Sequence, residues 1–114
     1  MSLELEKSMR IINDLISFCY YEGAEEFDVY LKHNKDESTT MKVSCCIDGL
    51  ESKRIAEMRK MLQIPRQHEV EQDFWELSGE TEFSGELSLI GAMSDRAEVS
   101  YEDGKLCIIV YRDD

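Results

Sequence analysis

Side chains of alternating character occupy residues 41–47, and the dipeptide Asp48-Gly49 follows at once. A period of two residues is typical of a strand with one buried face. The Asp-Gly pair predicts a tight turn, and a strand that ends in a glycine turn is a favourable place to hold a ligand. The side chains predicted to face the protein interior are those of Met41, Val43, Cys45 and Ile47.

The first part of the chain carries a long amphipathic pattern. Apolar residues recur three and four positions apart over residues 3–22, which predicts one helix, and Gly23 predicts its end. Alternation predicts a strand over 26–32. The polar residues 33–38 then turn the chain into the strand 39–47, as the second arm of an antiparallel hairpin. The helical stripe consists of Leu5, Met9, Ile12, Ile16 and Cys19.

The second half of the chain combines helical and extended patterns in the same way. The turn at residues 102–105, Glu-Asp-Gly-Lys, predicts a hairpin between two closing strands. The nearly continuous apolar character of 106–112 is typical of a strand at the centre of a sheet. The predicted elements are helices over 52–62, 67–78 and 86–94, a loop over 78–85, and strands over 97–101 and 106–112.

The order of these elements is one helix, two strands, two or three helices and two strands, which indicates an α+β fold. A chain of 114 residues is long enough for one domain with a modest core, so we expect a single domain over residues 1–114. The expected architecture is a two-layer sandwich, with helices packed on one face of a mixed, mostly antiparallel sheet of four or five strands.

The net charge of −12 excludes some classes of partner. Sequence-independent binding to nucleic acid, or direct contact with an anionic membrane, requires clustered Lys and Arg. No apolar run approaches the ~20 residues that span a bilayer, and the acidic N-terminus does not resemble a signal peptide. We therefore expect a cytoplasmic protein. The four cysteines lack C-x-x-C spacing, so free, buried thiols are expected rather than a zinc site.

Three stretches resemble the ATP-binding domain of sensor histidine kinases, whose fold is shared with anti-sigma-factor kinases, type II topoisomerases and Hsp90. Residues 11–31 are similar to the family's first box, N-L-x-x-N-A, and to the strand that follows it. Residues 43–50 are similar to V-x-V-x-D-N-G-x-G. Residues 84–93, followed by the closing hairpin, are similar to G-L-G-L-S-L-V. The resemblance implies the histidine-kinase ATPase fold and a site for ATP and Mg²⁺.

The residues at the implied magnesium positions depart from the family pattern. Asp14 and Phe18 align with the pair of side chains that share one helix face in the first box. Asp14 can accept hydrogen bonds or act as a general base, but Phe18 cannot ligate a hard cation, which requires oxygen donors. An alternative register pairs Asn13 with Ser17, a weaker pair, and loses the match at Gly23.

The implied adenine and phosphate positions are altered as well. Ile47 aligns with the aspartate that would accept the adenine amino group, and an unsatisfied amino group costs about 1–3 kcal/mol. Asp48 and Gly49 keep the next two positions, whereas Glu51 replaces a later glycine.

The third box is similarly changed. Its two phosphate-binding glycines align with Ser84 and Glu86, and Gly85 is offset by one residue. Glu86 would place a carboxylate where a helix N-terminus normally receives phosphate. No Lys or Arg is obviously placed to compensate, although Lys53 and Arg54 lie close in sequence.

The resemblance and its departures together predict a degenerate domain of this family with weak or no binding of Mg·ATP, no catalytic residues and no metal ligands. It would act as a regulatory or signalling module that meets an unidentified protein partner through the former nucleotide cleft or through Phe74-Trp75. The alternative is an active ATP-dependent kinase of the sensor or anti-sigma-factor type, with unorthodox nucleotide contacts. The oligomeric state is left open. The candidate nucleotide contacts are Asp14, Ser17, Asp48, Gly49 and Gly85.

Overall fold

The computed structural model describes residues 3–67, 69 and 87–113 of the chain. Three helices and four strands lie entirely within these ranges. Their bounds agree with the predicted ones to within a residue or two. The predicted helix 67–78 and loop 78–85 lie almost wholly outside the described residues, as does Phe74-Trp75. The elements are α1 (Leu3–Tyr21), β1 (Phe27–His33), β2 (Thr39–Cys46), α2 (Ser52–Leu62), α3 (Leu87–Ala92), β3 (Arg96–Glu102) and β4 (Lys105–Arg112).

The four strands form one sheet in the order β1-β2-β4-β3, and every neighbouring pair is antiparallel. Helix α1 packs on β2 and β1, while α2 packs on β3 and α3. The expected two-layer α+β sandwich is therefore confirmed. No parallel pair occurs among the described strands, so the sheet is simpler than the mixed one that we expected.

The core lies between the helices and one face of the sheet. The alternation predicted for 41–47 is observed, because every second side chain from Met41 to Ile47 is buried. The central strand β4 contributes in the same way, and its apolar side chains face those of β2 across the register. Fully buried side chains of this core include Ile11, Leu15, Met41, Val43, Met58, Leu106, Ile108 and Val110.

Gly23 ends α1, as the sequence predicts. Its φ of +111° lies in the region that favours glycine. The N–H of Ala24 donates to the carbonyl of Cys19 at 3.0 Å, and the N–H of Gly23 donates to that of Tyr20 at 3.0 Å. This pair of bonds is the Schellman motif, and the buried side chains of Ala24 and Cys19 supply its apolar contact.

All four cysteines are free thiols, in agreement with the sequence analysis. Cys19 and Cys45 are buried, and burial raises the pKa of both thiols. Cys46 is exposed and Cys107 is half-buried, so the expectation of burial was wrong for Cys46. The reason is the strand period, since Cys46 and Cys107 face the side of the sheet opposite the core.

Gly91 allows α3 to approach the end of α2 closely. A Cβ at this position would lie 2.8 Å from the backbone oxygen of Met61 and 3.2 Å from the Cα of Leu62. We expect Gly91→Ala to lower the free energy of unfolding by about 1–2 kcal/mol in urea titrations, because overpacking outweighs the gain in helix propensity. A rise of about 1 kcal/mol, the value expected from propensity alone, would contradict the close contact.

Candidate functional site

An open cleft of about 460 Å³ lies where the end of α1 meets the end of β2. It contains the strand-end position that the sequence analysis singled out, Ile47 and Asp48. Four carboxyl groups line it, so the cleft presents negative charge to any ligand that enters. The lining residues are Glu22, Gly23, Glu25, Glu26, Cys46, Ile47 and Asp48.

The turn at Asp48-Gly49 is confirmed, and Tyr101 holds it in place. The Tyr101 hydroxyl donates to the carbonyl of Ile47 at 2.6 Å and accepts from the N–H of Leu50 at 3.3 Å. Gly49 adopts a φ of +75°. The N–H of Ile47 donates to the carbonyl of Gly104 at 2.8 Å. The backbone of this turn is therefore engaged within the protein itself.

Phe18 of α1 is buried, and Arg54 of α2 covers its ring. The guanidinium carbon of Arg54 lies 5.6 Å from the centre of the Phe18 ring, a cation–π contact. Arg54 donates through Nε to Glu22 at 2.9 Å and through Nη1 to Glu57 at 3.1 Å. The hydrogen bond that Arg54 donates to Glu22 is the main cause that raises the pKa of Arg54 above its usual value. Arg54 is thus already paired with carboxylates.

Asp14 is buried in the middle of α1, with only 2% of its surface exposed. Its Oδ2 has no hydrogen-bond partner among the described residues. Burial raises the pKa of Asp14 to about 7, and the charge of Arg10 opposes that rise only in part. A carboxyl group in this state is a poor anion at neutral pH.

The remaining candidates are placed as follows. Ser17 is half-buried, and its hydroxyl donates to the carbonyl of Asn13 at 3.0 Å, one helical turn earlier. The exposed Asp48 lines the cleft, whereas Asp14 and Ser17 are not among the described residues that line it. Gly85 lies outside the described residues. The structure therefore brings only Asp48 to the cleft, next to the turn at Gly49.

The acidic lining of the cleft was missed in the sequence analysis. Glu25 and Glu26 directly precede β1, and Phe27 of β1 pairs with Cys45 of β2. The hairpin register therefore brings these glutamates beside the end of β2. The sequence could have indicated this acidic lining. In a hairpin that pairs Phe27 with Cys45, Glu26 lies opposite Cys46. No group of three or more His, Cys, Asp or Glu side chains is placed to hold a metal ion within 3–67, 69 and 87–113.

Comparison with known proteins adds no relative. The chain matches no family model, no curated protein and no solved structure. None of the helices described is both long and apolar enough to cross a bilayer.

Proposed function

We propose that this protein is a degenerate histidine-kinase-type ATP-binding domain, and that it acts as a cytoplasmic regulatory module without binding Mg·ATP. The proposal rests on the burial of two apolar side chains, at the positions that align with the family's magnesium and adenine contacts. Phe18 and Ile47 are both buried in the hydrophobic core. An aromatic ring and an aliphatic chain supply neither the oxygen ligand nor the acceptor that Mg·ATP requires.

Electrostatics supports the same proposal. A nucleotide triphosphate is strongly anionic, and the cleft beside the turn is lined by Glu22, Glu25, Glu26 and Asp48. Arg54 is paired with Glu22 and Glu57, so its charge compensates these carboxylates rather than an incoming phosphate. Like charges in a partly enclosed cleft repel the ligand and lower its affinity.

A regulatory role through a protein partner is the function that remains once nucleotide chemistry is removed. The partner would be a signalling component, and a basic surface on it would complement the acidic cleft. The acidic character of the whole chain favours the same kind of partner and disfavours nucleic acid.

The melting temperature in the presence of nucleotide tests this proposal. We expect about 5 mM ATP with Mg²⁺ to shift it by less than about 1 °C, because a ligand at a hundred times its dissociation constant would stabilise the fold by about 2.7 kcal/mol, several degrees for this size. GTP with Mg²⁺ serves as the control for ionic effects.

A shift of several degrees that is specific for ATP would contradict the proposal and favour the alternative, an active kinase domain with unorthodox contacts. In that event Ile47→Asp should enlarge the shift, because it restores the acceptor for the adenine amino group. A double variant, Phe18→Asn with Ile47→Asp, tests the ancestry of the scaffold. If it folds by circular dichroism and gains an ATP-dependent shift, the site is a degenerate nucleotide site.

A further inference from the structure

Strand β1 presents an open hydrogen-bonding edge. It pairs with β2 on one side, and no strand pairs with its other side within residues 3–67, 69 and 87–113. The N–H of Asn34 donates to the carbonyl of Ser38 at 2.8 Å, in the same register as the hairpin. Because hydrogen-bonded and non-hydrogen-bonded pairs alternate in an antiparallel ladder, even-numbered residues of β1 bond to β2. The N–H and C=O groups of Phe27, Val29, Leu31 and His33 therefore point outward.

A side chain of α2 covers the opposite edge of the sheet, whereas no described residue covers the edge of β1 in this way. On β3, the guanidinium of Arg59 donates through Nε and Nη2 to the carbonyl of Val99, at 3.2 and 3.1 Å. Proteins protect edge strands with such covers, with bulges, with proline or with inward charges. β1 is seven residues long, contains no proline and keeps an unbroken register with β2. As far as the described residues extend, its edge is thus open to another strand.

Large apolar side chains surround this edge and remain exposed. Val29 is 49% exposed on the face that carries the helices, and Tyr30 is 46% exposed on the other face. β1 therefore carries one large exposed apolar side chain on each face of the sheet.

We propose that this edge binds a second copy of the chain, with β1 pairing antiparallel to β1 across a two-fold axis at Tyr30. The sequence of β1, Phe-Asp-Val-Tyr-Leu-Lys-His, is self-complementary in this register. Asp28 of each copy lies opposite Lys32 of the other, Val29 lies opposite Leu31, and the two Tyr30 rings meet at the axis. Opposite charges and apolar pairs that face each other stabilise a ladder.

The register follows from the backbone and the charges together. The outward N–H and C=O groups belong to odd-numbered residues, so an odd-numbered residue of one copy must pair with an odd-numbered residue of the other. This condition requires the two-fold axis to pass through a residue of β1 and not between two residues. An axis at Val29 would place Asp28 opposite Tyr30, and an axis at Leu31 would place Lys32 opposite Tyr30. The axis at Tyr30 alone pairs both charges and uses all seven residues. It also keeps the helices of both copies on one face of a continuous eight-stranded sheet, since paired residues share a face.

The mass of the chain in solution tests this arrangement. We expect sedimentation equilibrium to show a species of twice 13.3 kDa that dissociates on dilution, within a range from about 1 µM to about 1 mM. Lys32→Asp and Asp28→Lys should each raise the dissociation constant by about tenfold or more, because each places like charges opposite one another twice. The double variant should restore it to within about threefold of the starting value.

The charge exchange separates pairing at this edge from general repulsion between acidic chains. The two single variants change the net charge by two in opposite directions, yet both should weaken the dimer. Asp28 and Lys32 are exposed and face Ser44 and Thr40 across the hairpin, so neither change breaks an ion pair between described residues. Glu98→Lys makes the same charge change as Asp28→Lys, but on β3, and should leave the dimer unchanged.

Two results would overturn the proposal. The first is a single species of 13.3 kDa at every concentration. The second is a dimer that the single variants leave intact, or that the double variant does not restore. A melting curve of each variant shows that it is folded, and the outcome is independent of whether the protein binds nucleotide.

Discussion

Arg112→Met should lower the free energy of unfolding by about 3 kcal/mol and the melting temperature by on the order of 10 °C. Arg112 is the last residue of β4 and is fully buried. Its Nη1 donates to the carbonyl of Met93 at 2.6 Å, and its Nη2 donates to Glu4 at 3.1 Å. The side chain thus joins the start of α1, the end of α3 and the centre of the sheet. Methionine would leave both acceptors without this donor.

A second arginine provides the control for this experiment. Arg96 is exposed on β3, where its guanidinium carbon lies 4.2 Å from the centre of the Tyr111 ring. We expect Arg96→Met to cost less than about 1 kcal/mol, because an exposed cation–π contact contributes little. If urea titrations show that both variants lower the free energy of unfolding by the same amount, burial of Arg112 does not stabilise the fold. Glu4→Gln, alone and with Arg112→Met, measures the coupling between the two side chains.

Local periodicity was sufficient to predict most of the fold. The alternation from Met41 to Ile47 predicted β2 because its apolar side chains all lie on the face that packs against the core. Gly23 predicted the end of α1 because a positive φ is required there. The turn at Asp103 and Gly104 predicted the closing hairpin for the same reason, since both residues adopt positive φ values.

Long-range polar contacts could not be predicted in this way. Arg112 follows an apolar run and precedes two aspartates, and this local pattern does not indicate that its side chain is buried. Its burial depends on Glu4, which lies 108 positions away in sequence. The cover of Arg59 over the edge of β3 depends in the same way on how α2 packs. Periodicity within one element contains no information about such contacts.

The candidate site was predicted in part. The sequence analysis identified Ile47 and Phe18 as apolar replacements, and both lie in the core. Asp14 was expected to be able to accept hydrogen bonds, whereas the structure leaves only 2% of its surface exposed. No Lys or Arg was predicted to compensate at the phosphate positions, and α2 places Arg54, which is close in sequence, against Glu22. The burial of Asp14 and the pairing of Arg54 depend on tertiary packing, which local sequence patterns do not contain.

Asp14→Asn should stabilise the protein by about 3 kcal/mol near pH 8 and have little effect near pH 4. The unfolded carboxyl titrates at its ordinary pKa of 3.8, and burial raises the folded pKa to about 7. Between these values the folded state keeps a proton that the unfolded state has lost. The free energy of unfolding of the unmodified protein should therefore fall as the pH rises through this window, by on the order of 4 kcal/mol in total. Asparagine is neutral throughout, so it removes this dependence.

Urea titrations between about pH 4 and about pH 9 measure this effect directly. Asp48→Asn is the matched control, because it removes the same charge from an exposed position and should leave the dependence on pH unchanged. If the unmodified protein is equally stable across the series, or if both variants respond alike, Asp14 is not a buried carboxyl with a raised pKa. The predicted result would mean that the helix face aligned with the magnesium site holds a group that is neutral over much of the range below pH 7. That state would support the proposal that this domain does not bind Mg·ATP, because a neutral carboxyl is a poor ligand for a hard cation.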